Sequence, residues 1–294
     1  MYRFLLLSGL KEDSDSGFTL KPYIGLPGFC VSGAEDEGDY EVYVKMRCVD
    51  ADAAGVVCDY SEDENYKKRY IEFLLDFANQ QAVLNLVIEA EDPQPKNVFT
   101  RFIKLDKGKD YVVGVKYWVD PEDNVCSIQC FVNDTVVILF HYIGEVLQRG
   151  MWGFKVEGAD ESSAVFSDVF KAPVGAKQVI DAVMKRVKLT SADLPYPEAW
   201  TLLQEAIETV SSELDEALTF ETLFGDRLRL VKALAAIYYL CRVTGGVSTG
   251  LSFSLGDLTV TPQRVADGTV LFEQLRREVD SLLGKLKQPY VGVV

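Results

Sequence analysis

Glu37, Asp39 and Glu41 stand two residues apart at the opening of an alternating run, Asp39-Tyr-Glu-Val-Tyr-Val-Lys-Met-Arg-Cys48. Side chains two apart in a strand share a face, so the three carboxylates would line up, and two of them could serve as nucleophile and general acid on a glycosidic bond. Their position argues the other way. The run opens an early strand directly after the acidic residues Glu35 and Asp36, and the expectation is that no enzyme is built on it.

Other chemistry-bearing residues are scattered. Asp13 with Asp15, and Asp120 with Glu122 and Asp123, offer oxygen ligands of the kind calcium takes, although solvated acidic loops are the commoner use of such residues. No other cofactor is expected. The six cysteines, Cys30, Cys48, Cys58, Cys126, Cys130 and Cys241, form no CxxC pair, so a zinc site would need the fold to assemble it. Cys126 and Cys130 would face the same way in a strand, and buried free thiols are the expected state. His141, the only histidine, has no serine or cysteine partner that the sequence identifies and reads as packed in its strand. Tyr117 and Trp118 fall on opposite faces of theirs; one belongs to a core, and the other could stack on a sugar. The basic cluster Lys67-Lys68-Arg69 reads as a solvated turn.

The elements that must position these residues change character near residue 172. Up to Phe170 strand patterns follow one another: after a first strand at Met1 to Ser8 and the run at 39–48 come 55–60, 68–77, 82–90, 98–105, 111–119, 125–132, 135–142, 151–156 and 164–170. Turn residues such as Asp120-Pro-Glu-Asp-Asn124 and Val132-Asn-Asp134 separate them. On the run at 39–48, Tyr40, Val42, Val44, Met46 and Cys48 should face a core and Glu41, Tyr43, Lys45 and Arg47 the solvent. About a dozen strands with few helices predict an antiparallel two-sheet β-sandwich, a jelly roll, over residues 1–172. Lys171-Ala-Pro-Val-Gly175 reads as a short linker. Beyond it, over 176–294, lie helical patterns at 176–187, 197–218, 226–243 and 265–286. Between the last two, Leu251-Ser-Phe-Ser-Leu255 and Leu258-Thr-Val-Thr261 flank Gly256-Asp257 as a β-hairpin, so the second domain is a small α-helical bundle carrying a hairpin.

Of the net charge of −15, most belongs to residues 1–172, with 30 acidic against 17 basic side chains. Such a surface repels phosphate backbones, so sequence-specific nucleic-acid binding is not expected. No apolar run is long enough for a membrane span, and the start lacks the pattern of a signal peptide, which predicts a protein made and kept in a cytoplasm.

Gly38-Asp-Tyr-Glu-Val42, the hairpin Phe131-Val-Asn-Asp-Thr135, and the closing strands Met151-Trp-Gly-Phe-Lys-Val156 and Ala164-Val-Phe-Ser-Asp-Val169 resemble the concanavalin-A-like, laminin-G-like sandwiches. The family's usual turn glycine is Asp134 here. The resemblance makes the strand at 38–42 a non-catalytic opening strand, and places Asp168 where many such sandwiches hold a structural calcium. In the second domain, Arg227 to Leu240, Ser254 to Thr261 and the helix Leu275 to Leu286, with its tail Gln288-Pro-Tyr-Val-Gly-Val-Val294, resemble the head-to-tail connector (adaptor) proteins of tailed bacteriophages and archaeal tailed viruses. That resemblance implies a virion structural protein of the neck, assembled in the host cytoplasm. Its subunits would form a homo-oligomeric ring, dodecameric by analogy, docked on the portal and contacting tail or neck proteins, with the sandwich outward as a decoration touching glycan or capsid. Phe253, Leu255, Leu258, Val260, Arg264, Tyr290 and Val291 would then be the ring or portal contacts, because a two-stranded hairpin with one apolar face needs cover. The other reading is a carbohydrate-binding, lectin-like protein or a glycan-active enzyme that its helical domain merely oligomerises.

Overall fold

The computed structural model describes residues 3–15, 17–33, 39–62, 67–88, 92–120, 125–143, 150–244, 253–255, 258–260 and 266–287, with side chains left out at 92–97, 142–143, 253–255, 258–260 and 266–269. The chain divides into two compact units, Met1–Val174 and Gly175–Val294.

The first unit contains fourteen strands: β1 (Leu5–Ser8), β2 (Leu10–Ser14), β3 (Gly17–Lys21), β4 (Gly28–Ser32), β5 (Tyr40–Cys48), β6 (Ala53–Glu62), β7 (Lys68–Asp76), β8 (Gln81–Ile88), β9 (Asp92–Phe102), β10 (Asp110–Asp120), β11 (Val125–Val132), β12 (Thr135–Ile143), β13 (Met151–Glu157) and β14 (Ala164–Pro173). They form two seven-stranded antiparallel sheets. One runs β1-β4-β13-β6-β7-β8-β9, the other β12-β11-β10-β5-β14-β3-β2. This is the sandwich that the strand patterns predict.

The core between the sheets is made by the inward half of each alternating strand. On β5, Tyr40, Val42, Val44, Met46 and Cys48 are all buried there, as the alternation requires. The opposite face of that strand departs from expectation, because Glu41 and Tyr43 are buried as well. Tyr43 packs its ring against Phe131 and Phe170, at centroid distances of 5.7 and 6.2 Å. The ring also covers Gly114 of β10, where an added Cβ would come within 2.3 Å of it. An aromatic cluster, rather than solvent, therefore covers that stretch.

Two further readings are corrected. Lys68 and Arg69 are the first residues of β7, as the strand pattern at 68–77 predicts and the reading of them as a solvated turn does not, because β6 pairs with them through Glu62 and Ser61. Lys171 to Pro173 belongs to β14, which pairs with β5 as far as Tyr40, so the linker shrinks to the unit boundary. Gly175 sits there at φ 93, a left-handed conformation that favours glycine, as the N-cap of the first helix.

The second unit holds α1 (Ala176–Arg186), α2 (Tyr196–Leu214), α3 (Gly225–Val243) and α4 (Ala266–Leu286). The helix α3 is buried on most sides, with Leu230, Leu234, Ile237 and Tyr239 among its covered residues, and it packs against the other three. Between α3 and α4, β15 (Phe253–Leu255) and β16 (Leu258–Val260) pair antiparallel as the predicted hairpin, Phe253 opposite Val260 and Leu255 opposite Leu258. Among the described residues, no helix is long and apolar enough to cross a membrane.

Candidate functional site

Two of the carboxylates at 37–41 have partners within the sandwich. Asp39 accepts a hydrogen bond from the Val119 amide at 3.0 Å. Glu41, fully buried, lies 3.4 Å from the Lys116 ammonium. Glu37 lies outside the described residues. Of the calcium candidates, Asp13 pairs with Lys11, Asp120 ends β10, Asp168 sits in a left-handed kink of β14 at φ 49, and Glu122 and Asp123 lie outside the described residues. No group of three or more His, Cys, Asp or Glu that could hold a metal occurs among the described residues. Of the expected ring contacts, Phe253, Leu255, Leu258 and Val260 lie on the hairpin strands with their side chains undescribed, while Arg264, Tyr290 and Val291 lie outside the described residues.

A different set of groups converges on the outer face of the second sheet. Tyr117, Cys126 and Ile128 point into the core, so Trp118 and Ser127, their neighbours in sequence, must point out. Trp118 on β10 is the cross-strand partner of Ser127 on β11, which in turn partners His141 on β12. One transverse row thus carries an indole, a hydroxyl and an imidazole. The Ser127 Oγ and His141 Nδ1 are 2.8 Å apart in a hydrogen bond. His141 is exposed and Ser127 buried, which corrects the reading of a histidine packed in its strand without a serine partner.

Two residues further along the strands a second row repeats the pattern. Glu41 on β5 partners Lys116, Lys116 partners Gln129, and Gln129 partners Leu139. The Lys116 ammonium also lies 5.5 Å above the Phe131 ring, which fixes its direction. Strands are spaced about 4.8 Å apart and alternate residues lie about 7 Å apart along them, so the two rows form one compact patch. Further along the same face, Lys45 and Arg47 hold Asp110 at 3.2 and 2.5 Å, and the hydrogen bond from Arg47 keeps that carboxyl below its ordinary pKa.

Directly beneath the first row lies a buried polar cluster. Asp59 on β6 adopts φ 54 at a break in the pairing of β6 with β7 and is fully buried. Neither of its carboxylate oxygens has a hydrogen-bond partner, and the Tyr117 hydroxyl has none either. Burial pushes the Asp59 carboxyl up to about 7, against the opposing pull of Arg69. Tyr40 stacks on Tyr117 at 5.5 Å and its hydroxyl accepts from the Asp59 amide at 3.3 Å. The Lys171 ammonium lies over the Tyr40 and Trp152 rings, at 5.0 and 5.9 Å, and burial lowers its pKa to about 8.

No protein-family model matches the chain, and no curated protein matches it. Among solved structures, the sandwich is similar to a carbohydrate-binding module, CBM66, from Bacillus subtilis, at 17% identity and a TM-score of 0.47, over 58% of this chain and 96% of that one. It is also similar to a legume lectin-like domain from Entamoeba histolytica, at 12% identity and a TM-score of 0.44, over 58% of this chain and 90% of that one. A Bacillus subtilis protein of unknown function with a galectin-like fold gives 10% identity and a TM-score of 0.44, over 58% and 88% of the two chains.

Proposed function

We propose that the sandwich is a glycan-binding module whose site is the outer face of the second sheet. The observation that carries this reading is the row Trp118, Ser127 and His141, bordered by Glu41, Lys116 and Gln129. A sugar ring presents C–H groups on one face and hydroxyls around its rim. An indole suits the first, and an imidazole, an amide and an ammonium, the last held from beneath by the buried Glu41, suit the second. Glu41 engages Lys116 and so fixes the ammonium on that face, and Ser127 is buried within its strand, where it orients His141. For the helical unit, the connector-ring reading draws on sequence stretches and on the order of helix, hairpin and helix, and glycan binding takes precedence over it.

The test is a screen of neutral and acidic oligosaccharides against the full chain by ligand-observed NMR, followed by titration of the hits. Trp118→Ala and His141→Ala are expected to weaken binding at least tenfold while leaving the thermal unfolding of the sandwich within a few degrees of the parent. Affinity unchanged in both variants, or no hit across the screen, would overturn the proposal.

A further inference from the structure

The buried cluster and the outer row share their backbone. Tyr117 and Trp118 are consecutive, as are Cys126 and Ser127, with inward and outward side chains alternating across the sheet. Whatever displaces Tyr117 or Cys126 therefore displaces Trp118 or Ser127. What could displace them is Asp59, buried with both carboxylate oxygens unbonded beside an unbonded Tyr117 hydroxyl. Burial favours the neutral acid of a carboxyl in that position. Once ionised, its charge demands hydrogen bonds tighter than the neighbouring Gly150 amide and Tyr117 hydroxyl make in the packed core.

Resting on the reading of the outer row as the binding face, we infer that Asp59 is a proton-controlled support of that face. Protonated, it lets Tyr117 and Cys126 pack as they are. On losing its proton to solvent it draws the Tyr117 hydroxyl and the Gly150 amide toward the new charge and moves β10 beneath Trp118.

The groups around Asp59 fix the sense of this response. Cys58 neighbours it on its own strand, Arg69 faces it from β7, Tyr40 from β5, Tyr117 from β10 and Cys126 from β11, while Lys171 of β14 lies over Tyr40. Arg69 is the cation acting on the carboxyl, and it works against burial without cancelling it. Gly150, just before β13, lies against the backbone of Asp59 and Tyr60, and its amide acts on the Asp59 carboxyl as a donor. Asp59 also holds φ 54, which asparagine tolerates as well as aspartate does, so Asp59→Asn keeps the backbone while abolishing the ionisation.

The experiment uses the full chain with its three tryptophans labelled as 5-fluorotryptophan, the Trp118 resonance being assigned from Trp118→Phe. It needs no glycan, so it stands or falls separately from the binding proposal. Across pH 5.5 to 8.5 the Trp118 resonance is expected to titrate with a midpoint near 7 in the parent and in His141→Gln, and to stay flat in Asp59→Asn. Tyr117→Phe removes a donor that the ionised carboxylate would use, and should move the midpoint upward. A Trp118 resonance that does not titrate in the parent would overturn the inference. So would a titration that survives in Asp59→Asn, or one that vanishes in His141→Gln and so belongs to the imidazole. A dispersed Trp152 resonance in every variant verifies that each remains folded.

Discussion

At the scale of single residues, two buried charges make opposite demands on the fold. The Asp59 carboxyl has a folded-state pKa of about 7 against an ordinary value of 3.8, so the folded chain holds a proton that the unfolded chain releases. Its contribution is fully favourable below the ordinary value, is lost as the pH rises toward 7, and is constant above that. A gap of this size is worth on the order of 4 kcal/mol. Urea unfolding of the parent should show stability falling from pH 4 to pH 7 more steeply than in Asp59→Asn; parallel profiles would refute the assignment. On the outer face of the first sheet the balance is reversed, because Lys155 is buried but matched. Glu72 and Glu157 each lie 2.7 Å from its ammonium, the Asn85 amide donates to Glu72 at 2.8 Å, and Tyr70 offers its ring at 5.6 Å. Burial works to lower the Lys155 pKa, but these carboxylates outweigh it and leave it raised. Glu72→Ala leaves the buried ammonium only the half-exposed Glu157 and is expected to cost about 2–4 kcal/mol, whereas Glu72→Gln combined with Lys155→Met should recover most of it. Equal losses in the single and double variants would contradict this account.

At the scale of elements, the sequence is a good guide wherever pattern alone decides and a poor one wherever pairing does. The period of two on β5 identifies its core face in full, and the three- and four-residue spacing on α3 and α4 brings both helices within a residue or two of their ends. The candidate site is less legible, because it depends on register. Counting back across the Asn133-Asp134 turn from Val132 opposite Thr135 would set Ser127 opposite Phe140 and leave His141 facing the core. A bulge at Cys130 and Phe131 shifts the pairing by one residue, which turns Phe140 inward and brings His141 out beside Ser127. Nothing local in those residues announces the bulge. The turn itself needs no glycine, since Asn133 and Asp134 hold φ 48 and 62 themselves. Trp118 is the part of the site that alternation alone does predict. The close approach of Tyr43 to Gly114 likewise belongs to pairing, and Gly114→Ala is expected to destabilise the sandwich by about 1–3 kcal/mol. Thermal unfolding compared with the parent would show it, and an unchanged midpoint would mean that the Tyr43 ring yields freely.

At the scale of the whole molecule, composition and structure divide at the same place. The acidic excess of residues 1–172 belongs to the unit Met1–Val174, and each unit has its own buried residues and its own internal packing. A fragment of residues 1–174 is therefore expected to fold cooperatively, with the near-ultraviolet circular dichroism of packed tyrosine and tryptophan. A fragment that shows no such signal, or unfolds without a transition, would count against independent units. If it folds, glycan affinity should travel with it undiminished, since both rows of the proposed site lie within residues 41–141.

Five of the six cysteines are buried in the sandwich and the sixth, Cys241, is half-buried on α3, all as free thiols. Burial suppresses their ionisation, raising Cys48 and Cys241 to about 11 and Cys30 and Cys126 to about 12, so none attacks a disulfide reagent while its surroundings stay closed. The thiols thereby become internal clocks of opening. The rate at which an aromatic disulfide releases its chromophore from native protein reads how often each region exposes its sulfur, with five equivalents reporting on the sandwich and one on the helices. In air the same release lets unfolded chains cross-link, which would make heating irreversible unless a reductant is present.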